Sequence, residues 1–371
     1  MRRITKKFGV LNLVLAFNLG LGGTVLAQDT AAGNIGAPPA AADIDRLMSR
    51  YFKADRPGAT VLVTKDGNTI FRKAYGMANL EQQIALQPEM ALRIGSITKQ
   101  FTAAAIMLLV EQGKLSLNDD ISQYLPGYAT HGATITIEHL LTHTSGIRNY
   151  TALPQFASIA RAEMTVAQML QVIAKEPLEF RPGERFVYSN SGYFLLGAII
   201  EQVSGISYAR FMEKHIFAPL QLQHTFYDSN VRVIPSRVDG YSKTRQGFDN
   251  AAFLSLSIPF AAGALRSSVD DLAQWNAAIS AGKLLRPESW QRMMSSAILG
   301  NGKPTGYGYG WFVRKIQGRE ALEHGGDING FSGDTVRFPA DGYYIAILVN
   351  SDTQEPDTQT LAEKIAALLL R

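Results

Sequence analysis

Three short stretches of this chain carry side chains that could perform acyl transfer. The first is Ser96-Ile97-Thr98-Lys99, which opens the apolar run Phe101 to Val110. Residues three apart on a helix share a face, with Cβ atoms ~5–6 Å apart. A serine hydroxyl alone is a poor nucleophile and needs a base within hydrogen-bond reach. A lysine can be that base, because partial burial lowers its pKa. Backbone N–H groups at the helix start could hold the oxyanion that forms. The same four residues would also suit a serine that only caps a helix.

The second stretch is Tyr188-Ser189-Asn190, which follows Arg181-Pro182-Gly183-Glu184 and precedes the apolar segment Gly192 to Ile200. A tyrosine facing Lys99 would have its phenolate favoured by the positive charge and could take the Ser96 proton. Asn190 offers an amide to a substrate carbonyl. The plainer reading is a packed tyrosine at a capped helix start. The third stretch is His324-Gly325-Gly326, just before Asp327. Two glycines let a substrate backbone lie against a strand edge. The histidine would supply a donor whose charge depends on pH, with an unperturbed pKa near ~6.5.

Other chemistries lack their motifs. There is no P-loop, and Gly306-Tyr-Gly-Tyr-Gly310 has the wrong spacing for a dinucleotide site and sits in a stretch that reads as strand. Gly330-Phe-Ser-Gly333 comes near a nucleophile elbow but has Asp334 where the last glycine belongs. His139 and His143 are spaced as metal ligands on one helical face, yet Leu140 stands where a zinc peptidase needs glutamate, and no carboxylates complete a site. No metal and no cofactor is expected.

Taken in order, the three stretches resemble the serine β-lactamase and penicillin-binding superfamily, in particular its class C branch of β-lactamases, D,D-peptidases, D-amino-acid peptidases and esterases. The resemblance runs from about Asp43 to the C-terminus. It extends to His139-Leu-Leu-Thr-His-Thr-Ser-Gly146, Phe186-Val-Tyr-Ser-Asn-Ser-Gly-Tyr193, Gly263-Ala-Leu-Arg-Ser-Ser268 and Tyr307-Gly-Tyr-Gly-Trp311. It implies Ser96 as the acylated nucleophile, Lys99 as its proton partner and Tyr188 as general base. It also implies Asn190, His324, Gly325 and Gly326 as substrate-binding residues, and the backbone N–H groups of Ser96 and Asp327 as the oxyanion hole. The β-lactamases of this branch carry Lys-Thr-Gly where this chain has His-Gly-Gly. Losing a charged hydrogen bond there costs about 1.5–3 kcal/mol in carboxylate recognition. The expectation is therefore an acyl-enzyme hydrolase acting on D-amino-acid peptides or esters. A class C-type β-lactamase and a non-hydrolysing penicillin-binding or sensing protein are the alternatives. The expected partner is a small-molecule or peptide substrate, a cell-wall peptide or β-lactam among the candidates.

The elements that must position these residues follow from pattern. Ala59 to Lys65 and Thr69 to Tyr75 read as strands joined through Asp66-Gly67, a strong hairpin signal. Tyr309 to Lys315, Ala321 to His324, Ser332 to Phe338 and Tyr343 to Asn350 read as strands near the other end, followed by a helix from Leu361 to Leu370. Between them lie helical stretches at Gln100–Gln112, Ile137–Leu141, Val166–Lys175, Gly192–Val203, Tyr208–Ile216, Asp270–Ser280 and Pro287–Ser295, several stopping at glycine (Gly113, Gly205, Gly282). The fold class this predicts is α+β: an antiparallel sheet built from both chain ends, flanked by helices, with an inserted helical lobe. The α/β lobe would span about 43–95 and 305–371, and the helical lobe about 96–304.

Composition narrows the setting. Among 371 residues there are 36 Lys+Arg against 32 Asp+Glu, and Arg2, Arg3, Lys6 and Lys7 account for the whole excess. The remainder is neutral, so no nucleic-acid surface is expected. Cysteine is absent, which excludes disulfides, thiolate metal sites and a thiol nucleophile. Residues 1–27 read as an export signal: a basic start, an apolar stretch from Phe8 to about Leu21, and Val25-Leu-Ala27 before the cleavage point. The apolar stretch is shorter than the ~20 residues of a membrane span. Residues 28–42 read as a flexible linker, and Asp43 as the N-cap of the first helix. The expectation is an exported protein, periplasmic or secreted, with no stable membrane span after cleavage.

Overall fold

The Asp66-Gly67 pair turns the chain as its residues demand. Both have positive φ, 50° and 79°, the geometry of a two-residue hairpin loop. The computed structural model describes residues 39–371; the expected export signal and the linker as far as residue 38 lie outside the described residues. The hairpin joins β1 (Ala59–Lys65) to β2 (Asn68–Tyr75). Before it lies α1 (Pro39–Tyr51). This helix starts four residues ahead of the expected Asp43 cap, so residues 39–42 are helix and not linker. Proline is well suited to a first helical position, and the following alanines favour the helix. Ile44, Met48 and Phe52 then bury one stripe of it.

After the hairpin come β3 (Leu92–Arg93), a 3₁₀ turn at Gly95–Ile97, and α2 (Thr98–Glu111). The alanine-, leucine- and methionine-rich α2 is buried on nearly every side, as a helix without a polar face must be. α3 (Ile137–Leu141) is capped by Thr136, whose side chain accepts the His139 N–H. α4 (Asn190–Ser204) ends at Gly205 with φ 71°, a left-handed stop that glycine adopts without strain. The helix at Tyr208 continues as a π turn over Glu213–Phe217.

The middle of the chain is not wholly helical. β4 (Phe226–Tyr227) and β5 (Leu265–Ser267) join β3 in a small sheet ordered β3-β5-β4, and Tyr241–Thr244 pairs with Gly247–Asn250. These pieces are too short for period-2 alternation to reveal.

The last strands are β6 (Phe312–Ile316), β7 (Arg319–Ile328), β8 (Phe331–Phe338) and β9 (Tyr343–Val349), followed by α5 (Thr358–Leu369). β6 starts three residues later than expected. The preceding Gly306-to-Gly310 stretch is turn, with φ 74° and 77° at its end glycines. A Cβ at Gly310 would come 2.7 Å from the Lys99 carbonyl oxygen.

The principal sheet runs β6-β7-β8-β9-β1-β2 with antiparallel neighbours. It is built from both ends of the chain, as expected. Alternate residues feed two cores. Val61, Val63, Ile345 and Ile347 pack under α1 and α5. Leu62, Ala346 and Leu348 face the larger core that holds α2 and α4. This is the period-2 signature of a sheet covered on both faces. β6 pairs with β7 only as far as Phe312↔Glu323. From His324 onward, β7 has no strand on that side among the described residues, and the 3₁₀ turn carrying Ser96 packs against it.

That packing explains Gly326. A Cβ there would lie 2.0 Å from the Ile94 carbonyl oxygen and 2.9 Å from the Ser96 nitrogen, whereas at Gly325 the nearest atom is 3.5 Å away. The second glycine lets the turn carrying Ser96 approach β7. Gly326→Ala should therefore destabilise the protein by about 1–3 kcal/mol and slow any reaction at Ser96, while Gly325→Ala leaves both nearly unchanged. Thermal unfolding of the two variants side by side checks this; equal melting temperatures would contradict it.

Candidate active site

Ser96 sits in the 3₁₀ turn ahead of α2, and neither element takes a side-chain cap from it. Its hydroxyl is instead 2.9 Å from Lys99 Nζ. Lys99 is wholly buried. Nζ donates to Asn190 Oδ1 at 2.8 Å and to the Ala262 carbonyl at 2.8 Å. Among the described residues no carboxylate pairs with it. Burial alone therefore drives its pKa well below the ordinary lysine value. A neutral amine has two protons and one lone pair. Asn190 Oδ1 and the Ala262 carbonyl can only accept, so they take both protons, and the lone pair is left for the Ser96 hydroxyl.

Tyr188 and Asn190 reach the site from the start of α4. Lys99 Nζ lies 4.9 Å from the centre of the Tyr188 ring and 5.5 Å from that of Tyr193. The Tyr188 ring is partly exposed, while its hydroxyl meets that of Ser96 in the enclosed centre. Burial pushes this phenol up from its ordinary value, against the smaller opposing pull of the Ser96 hydrogen bond. Enclosure thus works against both the phenolate and the charged lysine that the sequence reading paired. The Asn190 carboxamide oxygen is taken by Lys99, and its Nδ2 makes only a 3.4 Å contact with Thr151 Oγ1. Nδ2 is the part left for a ligand.

His324 lies close by, its ring centre 6.1 Å from that of Tyr188, but it does not offer a free donor. Its Nδ1 is 2.6 Å from the Gly325 carbonyl oxygen, which can only accept, so Nδ1 carries the proton. Nε2 then accepts from the Tyr307 hydroxyl at 2.9 Å. Burial, with a further push from Lys99, lowers its pKa to about 3. The expected pH-dependent donor is thus a neutral imidazole with both nitrogens occupied. Asp327 lies one residue beyond Gly326. A Cβ at Gly95 would come 2.9 Å from its nitrogen, so the Asp327 and Ser96 backbones flank one small space.

Sequence reasoning passed over His143. It follows α3 with φ 57°, which turns it off the helix face it would share with His139. His139 Nδ1 accepts the Thr136 N–H, whereas His143 Nδ1 accepts the Ser189 N–H at 3.1 Å. The His143 ring lies 4.3 Å from Tyr188 and 4.7 Å from Tyr307, centre to centre. Its Nε2 is enclosed without a hydrogen-bond partner among the described residues. Burial, Lys99 and His324 together hold its pKa well below the ordinary value. The residue fixes both the backbone and the ring of the Tyr188 turn. The His139-to-Gly146 segment was the available signal, but its spacing pointed to metal ligation.

Comparison with known proteins places this geometry. A family model described as Beta-lactamase matches residues 41–370. Penicillin-binding protein 4* of Bacillus subtilis (strain 168) is 31% identical over 297 residues, covering 75% of this chain and 65% of the relative. Protein flp of Staphylococcus aureus (strain MRSA252) is 29% identical over 316 residues, covering 81% of this chain. The chain spans about 61% of the length of that relative. Among solved structures, a D-stereospecific amidohydrolase from Streptomyces sp. is 28% identical with a TM-score of 0.74, covering 87% of this chain and 97% of the other.

The buried histidines predict acid sensitivity. Below pH ~6.5 unfolded histidines gain protons that His143 and His324 refuse in the fold. Stability should then fall with pH by up to about 1.4 kcal/mol per pH unit for each. For His324 the window closes near its folded value of about 3. His324→Gln should lower the slope of unfolding free energy against pH by one proton between pH 6 and 4.5. Identical slopes for the two proteins would rule out a neutral buried His324.

Proposed function

This chain belongs to the beta-lactamase family, and we propose that it is a serine hydrolase working through an acyl-enzyme on Ser96. The observation that carries the reading is the fully buried Lys99, whose two acceptor-only partners leave its lone pair for the Ser96 hydroxyl at 2.9 Å. In the first half-reaction Lys99 Nζ takes the Ser96 proton as Oγ attacks the substrate carbonyl. The Ser96 and Asp327 N–H groups receive the oxyanion. The Tyr188 hydroxyl, beside Ser96, hands a proton to the leaving group and is re-protonated from Lys99. In the second half-reaction the same pair takes the proton of an attacking water and returns it to Ser96 Oγ as the acyl–Oγ bond breaks and the acyl group leaves as acid. Asn190 Nδ2 donates to the acyl part of the substrate.

For substrate, we favour D-amino-acid amides or peptides, or esters, over β-lactams. His324 stands where the family's β-lactamases carry lysine, and its two occupied nitrogens and low pKa leave no cation beside Ser96 for a drug carboxylate. The likeness to a D-stereospecific amidohydrolase points the same way. The likeness to penicillin-binding protein 4* keeps penicillin acylation as the second reading. We place the protein outside the cytoplasm on its N-terminal segment; no helix among the described residues is long and apolar enough to cross a membrane.

The test is intact mass spectrometry after mixing with a penicillin, small esters and D-aminoacyl amides. An adduct or turnover that disappears in Ser96→Ala supports the reading; turnover that survives in a clean Ser96→Ala preparation overturns it. Lys99→Arg cannot be discharged at accessible pH, and should lose on the order of 10³-fold in acylation rate. In the wild type, kcat/KM should fall as pH drops through the lowered Lys99 pKa, because the base must be neutral. His324 should add no inflection between pH 5 and 8.

A further inference from the structure

Beside the strand that leads to Ser96 lies a cluster of arginines that the acyl-transfer reading does not use. Arg93 on β3, Arg266 on β5 and Arg237 in the loop after β4 line a cavity of about 240 Å³ with Phe331 at its wall. Arg93 and Arg266 each place Nε 2.8 Å from Asp228 Oδ2, and Arg237 Nη2 is 4.0 Å from Asp228 Oδ1. Both Arg93 and Arg266 also lie over the Phe331 ring, at 5.8 and 5.2 Å from its centre. Three guanidiniums thus share one buried carboxylate. The carboxylate on the cavity wall itself is Asp239, whose Oδ2 is engaged by Asn79. Counting both carboxylates, the group keeps one positive charge in excess.

Its donors are only partly used. Arg266 Nη1 donates to the Ala91 and Val238 carbonyls, and Arg237 Nη2 to those of Ser229 and Arg232. Arg93 Nη1 and Nη2, Arg266 Nη2, and Arg237 Nε and Nη1 have no hydrogen-bond acceptor among the described residues. None of these five is a sealed, orphaned atom, so each reaches open space. Burial above all, against the pull of Asp228 and with smaller pushes from Arg93 and Arg237, brings Arg266 down to about 10. A group meant only to pin the β3-β5-β4 sheet would need Arg93, Arg266 and Asp228; Arg237 adds charge and forks that such pinning does not require.

We propose that this cavity is an oxyanion-binding site, taking a carboxylate or phosphate group through the free forks of Arg93, Arg237 and Arg266. Planar bidentate recognition by arginine suits both groups, and a single negative charge balances the excess. Arg93 precedes Ser96 by three residues, so their Cα atoms are at most about 11 Å apart. The oxyanion is either a free ion or the far end of an anionic substrate.

Titration calorimetry at constant ionic strength separates the two sources. Inorganic phosphate is titrated into the wild-type protein and into Arg237→Gln. A D-amino-acid dipeptide and its C-terminal carboxamide are titrated into Ser96→Ala, with and without Arg237→Gln. Arg237 is the member least involved in packing, and Arg237→Lys, which keeps the charge but not the fork, stands in if the glutamine variant does not fold. Saturable binding of one phosphate per chain, weakened at least tenfold by the Arg237 substitution, establishes the site for a free ion. A dipeptide that binds at least tenfold tighter than its carboxamide, with the difference erased by the Arg237 substitution, establishes it as a substrate subsite. The absence of both behaviours overturns the proposal. Because no arm requires turnover, failure here is distinct from failure of the Ser96 acyl-enzyme.

Discussion

The structure turns on a lysine held in the interior with no counter-ion among the described residues. An ammonium is costly to bury unpaired, and the relief open to it is to give up its proton. Lys99 meets this condition by position: α2 is enclosed on nearly every side, and the groups around Nζ are a carboxamide oxygen, a carbonyl, a hydroxyl and two phenol rings. Those groups come from three separate parts of the chain. Asn190 arrives on α4, Ala262 from the segment before β5, and Ser96 from the 3₁₀ turn wedged against β7. The fold is what makes a reactive pair out of two ordinary residues.

The same enclosure governs the neighbours. Burial holds His143 and His324 below the ordinary imidazole range, and each is fixed through backbone: one by the Ser189 N–H, the other by the Gly325 carbonyl. Tyr307 holds His324 and packs on His143, so the two imidazoles and the Tyr188 ring form one set. Charge is carried instead beside the strand that leads to Ser96, where Arg93, Arg237 and Arg266 gather around Asp228. A neutral reaction centre beside a cationic cavity would suit a substrate whose reacting carbonyl is uncharged and whose other end is not.

Much of this was legible before any coordinates. Alternation and the Asp-Gly turns located β1, β2, β8 and β9 to within a residue or so, because a sheet buried on both faces leaves a strong pattern. The three chemical stretches were legible as candidates, and their meeting was legible through the family resemblance. What was not legible depended on contacts distant in sequence. That His324 is occupied at both nitrogens requires Tyr307 to fold back on it, and that Gly326 serves the Ser96 turn requires β7 to pass Ile94. The His143 backbone turn hid its role behind a metal-like spacing. The short strands β3, β4 and β5, which bring the arginines together, leave no periodic signal at two or three residues each.

The central claim is that Lys99 is an amine in the resting protein. Selective ¹³C labelling of lysine side chains, with the Lys99 Cε signal identified by its loss in Lys99→Met, allows its titration to be followed directly by NMR. The account predicts that Lys99 titrates well below the other lysines and is uncharged at neutral pH. A Lys99 that titrates with the surface lysines, near ~10.4, would mean that the base is charged at rest, and the account of the site would fail with it.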